Sequence, residues 1–397
     1  MIVLEMMFGV LIIGGIAFYL GCAFFTSRFF YSNAALNQAM TTSHSAENSS
    51  FLNPATALSF SPVSILVPVC GLDAGAWENW SSLCNQSYTN YEVLFGVVDP
   101  QDPAIPILKE LANKFPDKVR VFTGLQPRGI NYKDSSLSYL LEEARYDWII
   151  FVDSDIRVPL NYIEIVTTPL LDVKVGIVTC AFIGHTPQSL GAAIASFGRC
   201  FDFIPSLLIA RAIDGGLKCA IGTTIATRRD ALINYGGLHL NRIGSDYNIG
   251  KRASAAGYVV ELSRYVLESD TGTEGIGDVY QRELRWARTI RFNRGAQYYS
   301  MIFCHATVLC LPLLLISHFA SWAIALTLVC FLVRYIQILI SIRSMAAPNL
   351  IRWLWAVPLR DLLSFVVWVM GSYGQNVYWR GRRLRVHSDG LITQSES

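Results

Sequence analysis

Charged residues are scarce in this sequence: they make up 16% of its 397 positions, whereas hydrophobic residues make up 52%. Soluble domains carry about 25% charged residues, so the composition predicts membrane-embedded segments. An excess of one charge sign is also lacking, because the formal net charge is only +2. A concentrated basic surface is what attracts a polynucleotide, and the sequence therefore predicts no nucleic-acid partner.

Cysteine spacing typical of a metal site is absent as well. The nine cysteines include no C-x-x-C pair, and an odd number cannot all pair with one another. We therefore expect reduced, buried thiols, which are usual for a protein region on the cytosolic side of a membrane.

Long apolar runs lie near both ends of the chain. The first, Met6–Phe25, is long enough to cross a bilayer core of about 30 Å. It lacks the basic residues that open a cleavable signal peptide, so we expect a membrane anchor. Arg28 follows the run, which favours a cytosolic location for the next residues.

Three further apolar runs follow residue 299, at about 302–319, 322–340 and 353–369. The first two predict a transmembrane hairpin. The third contains Arg360 and Asp361 near its centre, and this charged pair favours an interfacial or re-entrant helix. The segment 379–385 carries four arginines within six residues, which predicts contact with anionic headgroups.

These features predict five regions in an integral, multi-pass membrane protein. They are a transmembrane anchor (1–30), a tether (31–61), a cytosolic catalytic domain (62–298), C-terminal membrane helices (299–378) and a basic cytoplasmic tail (379–397).

Short branched-apolar runs alternate with amphipathic stretches in the third region. The predicted strands are 64–69, 92–98, 119–122 and 148–152, and the predicted helices between them include 105–115 and 135–143. Continuous apolar strands of this kind are buried on both faces of a sheet. The pattern predicts an α/β domain with a Rossmann-like, mostly parallel sheet, in which ligands bind beyond the carboxyl ends of the strands.

Asp153 and Asp155 follow the strand 148–152 and form the only Asp-x-Asp in the chain. Two carboxylates at a strand end are suitable ligands for Mg²⁺ or Mn²⁺ shared with substrate phosphates. The alternative is a turn that caps the next helix. Nucleotide-sugar glycosyltransferases of the A-type fold have Asp-x-Asp at this kind of strand end, where a metal holds the diphosphate.

Other polar residues follow neighbouring strands. Asp99 follows the strand 92–98 and is a candidate for binding the nucleoside, or else part of a turn before Pro100. Asn131 and Lys133 lie in a polar loop, where Lys133 could neutralise a diphosphate or simply be solvated.

A third group precedes the C-terminal apolar region. Asp246 begins a predicted helix and is a candidate general base for an acceptor hydroxyl, or else a helix cap. Arg282 and Arg285 share one face of a later helix at i, i+3 spacing, and Trp286 follows them. These arginines could clamp a diphosphate, or they could form a solvated basic face.

The ordered set Asp99, Asp153-x-Asp155, Asp246 and Arg282-x-x-Arg285-Trp286 resembles the membrane-bound ceramide glucosyltransferases, with their "D, DxD, D, (Q/R)xxRW" pattern. The resemblance extends over residues 63–386 and includes the Trp379–Arg385 segment. Two features depart from the family: Ser245 stands where an acidic residue often precedes the base, and Arg199 follows Phe197-Gly198 where the animal enzymes have histidine.

The resemblance implies an A-type glycosyltransferase that moves glucose from UDP-glucose to a lipid hydroxyl with inversion, using Mg²⁺ or Mn²⁺. It assigns Asp99 to the uridine part of the donor, Asp153 and Asp155 to the metal and diphosphate, Asp246 to the base, and Arg282, Arg285 and Trp286 to the diphosphate or acceptor side. Asn131 and Lys133 are expected to bind the donor because of their position in the polar loop. Its partners would be a UDP-sugar, a lipid acceptor and the bilayer of a bacterial inner membrane or the Golgi. Two alternatives stay open: transfer of N-acetylglucosamine to a hopanoid polyol, and processive polysaccharide synthesis.

Overall fold

A computed structural model describes residues 2–43, 61–73, 75–184, 186–269 and 272–394, with side chains given for all of these except 31–43. The N-terminal helix α1 (Ile2–Ser43) begins in the predicted anchor. It continues for thirteen residues into the segment that we expected to be a tether, and residues 44–60 of that segment lie outside the described residues.

The α/β domain begins with strands separated by helices, as the sequence predicts. Its first elements are β1 (Val63–Val69), α2 (Ala76–Cys84), β2 (Tyr91–Val97), α3 (Ile105–Lys114), β3 (Val119–Thr123), α4 (Tyr132–Glu143), β4 (Trp148–Val152), β5 (Ile156–Arg157) and α5 (Tyr162–Thr167). All seven residues of β2 are buried, because helices cover both faces of the sheet. The four predicted strands agree with β1 to β4 within one or two residues.

The second part of the domain adds strands of both directions. It consists of β6 (Val175–Ile183), α6 (Leu190–Phe197), a π-helical segment (Gly198–Phe203), α7 (Ile204–Ile213), β7 (Thr224–Arg228), α8 (Arg229–Asn234), α9 (Ser245–Ala255), β8 (Val259–Ser269) and α10 (Ile276–Arg294).

The eight strands form one sheet in the order β3-β2-β1-β4-β7-β6-β8-β5. Strands β1 to β4 pair in parallel, and β6 pairs in parallel with β8. Strand β7 runs antiparallel between β4 and β6. The residues before β7 therefore lie beside the residues after β4, and the Asp153 backbone N–H donates to the Thr223 carbonyl at 3.2 Å. This mostly parallel sheet confirms the predicted fold class.

Helix α10 leads through a 3-10 segment (Gly295–His305) into α11 (Ala306–Ile316), α12 (Ser321–Ser344), a second 3-10 segment (Pro348–Ala356) and α13 (Val357–Gly371). Five helical stretches in the described residues are long and apolar enough to cross a membrane: 2–30, 190–213, 276–316, 321–344 and 348–371. The stretch 190–213 was not expected from the sequence, and most of its residues are buried inside the protein.

The charged pair of the last apolar run faces protein. Arg360 and Asp361 are each 4% exposed, and Arg334, in the preceding helix, is 2% exposed. Arg334 donates to Asp361 at 2.6 Å and to Asp202 at 2.8 Å. Burying charges in an apolar region requires such pairing, so α13 presents its charges to its neighbours in the bundle.

The basic C-terminal segment forms a small antiparallel sheet of β9 (Asn376–Trp379), β10 (Arg382–Val386) and β11 (Ile392–Gln394). Its inner side chains, Val377, Leu384 and Val386, pack with Ile243. The segment that we expected to be a tail at the headgroups is therefore folded against the α/β domain.

Candidate active site

Asp153 and Asp155 lie directly beyond the carboxyl end of β4, where they are partly exposed. Asp153 forms an ion pair with Lys133. Burial and then the negative charge of Asp153 raise the pKa of Asp155 to about 6. Two carboxylates close enough to perturb one another provide a site that attracts a cation.

The loop before α4 brings Lys133 to this pair. Asn131 is the N-cap of α4: its side chain accepts from the Asp134 backbone N–H at 3.2 Å and donates to the Arg242 carbonyl at 2.7 Å. Both halves of the amide are thus occupied in holding the loop. Lys133 then points to Asp153 and to the Gly222 carbonyl. Burial is the largest single effect and lowers the pKa of Lys133. The charge of Asp153, the hydrogen bond to it and the charges of Asp246 and Asp134 together outweigh burial, so the net shift is upward.

Asp134 is fully enclosed beneath this loop. It accepts from the Asn131 side chain at 2.7 Å and interacts with the Ser245 hydroxyl. Burial raises the pKa of Asp134 to about 7, against the smaller lowering effect of Lys133. A carboxyl group with this environment changes its protonation state near neutral pH.

Asp246 lies in the first turn of α9, after Gly244, whose φ of 67° starts the helix. No side-chain cap is formed at this helix start, so Asp246 does not act as the cap. Its carboxylate lies beside Gly222, where a Cβ atom would approach Oδ2 to 3.0 Å. Burial raises the pKa of Asp246, while Lys133 and the Tyr247 backbone N–H lower it.

Helix α10 carries the two arginines on the same side of the site. Arg285 lies close enough to Asp246 and Asp153 for their negative charges to act on its guanidinium group. The guanidinium carbon of Arg285 lies 5.5 Å from the Trp379 ring centroid. The negative charge of Asp155 acts on the Arg282 guanidinium group, and Arg282 also forms an ion pair with Glu274. The two guanidinium groups therefore approach different carboxylates of one cluster.

Trp286 supports Arg282 from the same helix. The guanidinium carbon of Arg282 lies 5.3 Å from the Trp286 ring centroid, a cation–π geometry that fixes the side chain while leaving its N–H groups available.

The C-terminal sheet covers the loop that carries Lys133. Arg382 stacks at 3.7 Å on the Tyr132 ring and donates to the Ile130 carbonyl at 2.8 Å. Trp379, at the end of β9, lies against Arg285. Residues of β9 and β10 thus contact both sides of the site, a role that their arginine-rich sequence did not predict.

Asp99 is the predicted site residue that the structure does not bring to the carboxylate cluster. It is exposed, and its Oδ1 accepts from the Gln101 backbone N–H at 2.9 Å within its own turn. Asp102 is buried nearby and accepts from the Gly71 backbone N–H at 2.8 Å, which fixes the loop after β1.

Two further residues reach the cluster without having been selected from the sequence as site residues. The charges of Asp73, which follows β1, and of Arg199 both act on the Asp155 carboxylate. Asp73 could have been selected from the sequence because it lies beyond the end of a parallel strand. Arg199 could have been selected because a charged residue within a long apolar stretch usually has a function.

The donor set fits a divalent cation bound together with a ligand. No group of three or more His, Cys, Asp or Glu side chains suited to a metal occurs in the parts of the chain that the structure describes. Asp153 and Asp155 supply two hard oxygen ligands, and Mg²⁺ commonly takes one or two protein carboxylates plus phosphate and water oxygens. Burial, and after it the negative charge of Asp153, raise the pKa of Asp155, and a bound cation would offset both effects.

Comparison with known proteins identifies a family for this chain. The family model "Glycosyl transferase family 21" matches residues 28–392. "Ceramide glucosyltransferase 3" of Caenorhabditis elegans is 24% identical over 242 residues, covering 57% of this chain and 50% of the relative. "Ceramide glucosyltransferase 1" of the same organism is 23% identical over 230 residues, covering 57% and 49%. The chain spans about half the length of these curated relatives.

A solved structure with a similar chain course is the mannosyltransferase PcManGT from Pyrobaculum calidifontis, determined in complex with GDP-Man and Mn²⁺. Its TM-score is 0.47 at 15% sequence identity, covering 89% of this chain and 97% of that one.

Proposed function

The chain belongs to glycosyl transferase family 21, and from that premise we propose that it transfers glucose from UDP-glucose to the hydroxyl of a membrane lipid such as ceramide, with inversion at the anomeric carbon. The observation that carries this proposal is the position of Asp246 beside the Asp153–Lys133 pair. A base is thereby held next to residues suited to a diphosphate.

In the proposed reaction, Asp246 takes the proton of the acceptor hydroxyl while that oxygen attacks C1 of the sugar. The bond between C1 and the diphosphate oxygen breaks, and its electron pair stays on the leaving group. A neutral hydroxyl is a poor nucleophile without such a base. Burial raises the pKa of Asp246, which brings a carboxylate closer to the basicity that proton transfer at neutral pH requires.

Asp153 and Asp155 would hold Mg²⁺ or Mn²⁺. When bound, the cation neutralises negative charge on the diphosphate and so makes it a better leaving group. Lys133 forms an ion pair with Asp153 and would place its positive charge beside the diphosphate, and Arg285 adds a second positive charge near the same carboxylate. Positive groups arranged in advance stabilise the charge that develops on a leaving group.

The remaining assignments follow from position in the chain. Asp99 would contact the nucleoside at the end of β2, and Asn131 would act by fixing the Lys133 loop, since its amide is occupied. The apolar helices would place the acceptor lipid near α10 with the catalytic domain in the cytosol, at a bacterial inner membrane or the Golgi. The enzyme would then be a UDP-sugar:lipid hexosyltransferase.

The direct experiment incubates purified protein in lipid nanodiscs with radiolabelled UDP-glucose, Mg²⁺ and ceramide, and separates the products by chromatography and mass spectrometry. A β-linked glucosyl lipid is expected. Parallel reactions with UDP-N-acetylglucosamine and a hopanoid polyol test the second donor and acceptor. A polymeric product would indicate a processive synthase, and an α-linked lipid would contradict the single displacement.

A further inference from the structure

Arg199 is a buried arginine whose hydrogen-bonding capacity the fold leaves unused. It lies in the π-helical segment between α6 and α7, is 5% exposed, and its guanidinium is 5.0 Å from the Phe182 ring centroid. Among the residues that the structure describes, no hydrogen-bond acceptor contacts its buried Nε or Nη1.

Arg282 shows the same feature on the facing helix α10. It donates to Glu274 from Nη1, but its buried Nε and Nη2 have no acceptor in the described part of the chain. The positive charge of Arg199 acts on Arg282, and the negative charges of Asp155 and Glu283 act on both guanidinium groups. The two side chains together retain four buried donor atoms without an acceptor among the described residues, close enough to the predicted metal ligand for their charges to interact with it.

Such a pair is unfavourable in the absence of an anion. Like charges repel, and a buried donor without an acceptor loses its interaction with water and gains nothing in exchange. Three carboxylates attract these groups, but each already has another partner: Glu274 pairs with Nη1 of Arg282, Glu283 is bound by Arg360, and the oxygens of Asp155 are the expected ligands of the cation. A phosphate group has several oxygens and a negative charge, and arginine matches it in both geometry and charge.

We propose that Arg199 is a catalytic residue that binds the terminal phosphate of the donor nucleoside diphosphate together with Arg282. This inference rests on the proposed function and adds a residue outside the D, DxD, D, RxxRW set. The terminal phosphate is chosen because it is the group that a cation on Asp155 would bind and the group that gains charge when the C1–O bond breaks. Arg199 then stabilises the leaving group directly.

The test compares UDP, UMP and uridine as ligands of the full-length protein in nanodiscs, by calorimetry with Mg²⁺ present. Arg199→Gln should weaken UDP binding by about 10- to 100-fold, the range for a lost charged hydrogen bond. Binding of UMP, which lacks the terminal phosphate, should change by less than about threefold. Arg211→Gln is the matched control, because Arg211 lies on α7 and contacts Phe29 instead of the site.

Arg199→Lys provides a second variant that keeps the charge but loses the fork of donors. It should lower the ratio of UDP to UMP affinity by at least about threefold, and it decides the question if the glutamine variant fails to fold. An unchanged ratio in a folded variant overturns the proposal. So does an equal loss for UDP and UMP, which would mean a distorted pocket.

A third outcome would assign the anion to the other substrate. If Arg199→Gln leaves the UDP affinity intact but raises the KM for a phosphate-bearing lipid acceptor, Arg199 binds a headgroup phosphate and the proposal is wrong. A wild-type protein that binds no nucleoside diphosphate would instead refute the proposed function itself, so the two failures are distinguishable.

Discussion

Arg360 donates from Nη1 to both carboxylate oxygens of Glu283, at 2.7 Å each. Glu283 lies on α10 between Arg282 and Arg285, and Arg360 lies on α13. Arg360 also donates from Nε to Asp202 at 2.9 Å. The helix that carries the site arginines is therefore joined to the membrane helices by buried charges.

The first prediction concerns this connection. Glu283→Gln removes one charge from a buried pair and leaves Arg360 without its full complement of acceptors. We expect the free energy of unfolding to fall by about 3 kcal/mol, measured by denaturant titration in detergent micelles.

The exposed pair Arg128–Glu142 provides the control. Glu142→Gln should change stability by less than about 1 kcal/mol, because solvent screens such pairs. Equal losses in the two variants would show that burial does not determine the strength of the Glu283 contact.

The second prediction concerns the metal. EDTA should abolish transfer, and Mg²⁺ or Mn²⁺ should restore it. Asp155→Asn should reduce kcat by at least about 100-fold, the usual effect of losing a group that stabilises developing charge. The variant should still give a single folded peak on size exclusion. Asp172→Asn, in an exposed turn, should keep wild-type activity, and full turnover in EDTA would contradict the metal assignment.

The third prediction concerns the base. Asp246→Asn should lower kcat by about 10²- to 10⁴-fold and leave the UDP affinity nearly unchanged. Since burial raises the pKa of Asp246, the protonated, inactive form persists to a higher pH than for an ordinary carboxyl group. Wild-type kcat should therefore decline on acidification already above pH 4. A variant that retains half of the wild-type kcat would remove Asp246 from the mechanism.

The fourth prediction concerns the pH dependence of stability at Asp134. Its pKa is raised to about 7 in the folded protein, whereas the unfolded value is near 3.9. Its contribution to stability is present below pH 4 and is lost as pH rises towards 7. The Tm of Asp134→Asn minus the Tm of wild type should therefore be larger at pH 8 than at pH 5. We expect this difference to increase by about 2 °C or more. The same difference at both pH values would contradict the shifted pKa.

The fifth prediction concerns the C-terminal sheet. Trp379→Ala removes the ring beside Arg285 and should lower kcat/KM by about 5- to 30-fold, the range of a desolvated cation–π contact. Trp379→Phe should keep more than half of the activity. Trp355, whose side chain is 60% exposed, is the control, and its replacement by alanine should have no effect on kcat/KM.

Much of the fold could be predicted because β1 to β4 are continuous apolar runs, a pattern typical of buried parallel strands. Their order along the chain, combined with the rule that ligands bind at carboxyl ends, also indicates that Asp153, Asp155 and Lys133 meet. These inferences need only local sequence and general topology.

The remaining features depend on partners distant in sequence. Arg360 and Asp202 are 158 positions apart, so the sequence alone suggested an interfacial helix where the structure has a buried ion pair. The sequence of the arginine-rich segment 379–385 likewise predicts a headgroup-binding tail. No feature of the neighbouring sequence indicates that Arg382 stacks on Tyr132. Long-range pairing of charges has no periodicity to detect.

The position of β9 to β11 in the chain has a consequence for biosynthesis. These strands follow all the carboxylates and arginines of the site, so a ribosome completes the domain before it makes the cover over the Lys133 loop. A nascent chain halted before Asn376 would contain every strand of the eight-stranded sheet but lack the side chains that contact Tyr132 and Arg285. The order of synthesis thereby delays completion of the site until the membrane helices that precede β9 have been made.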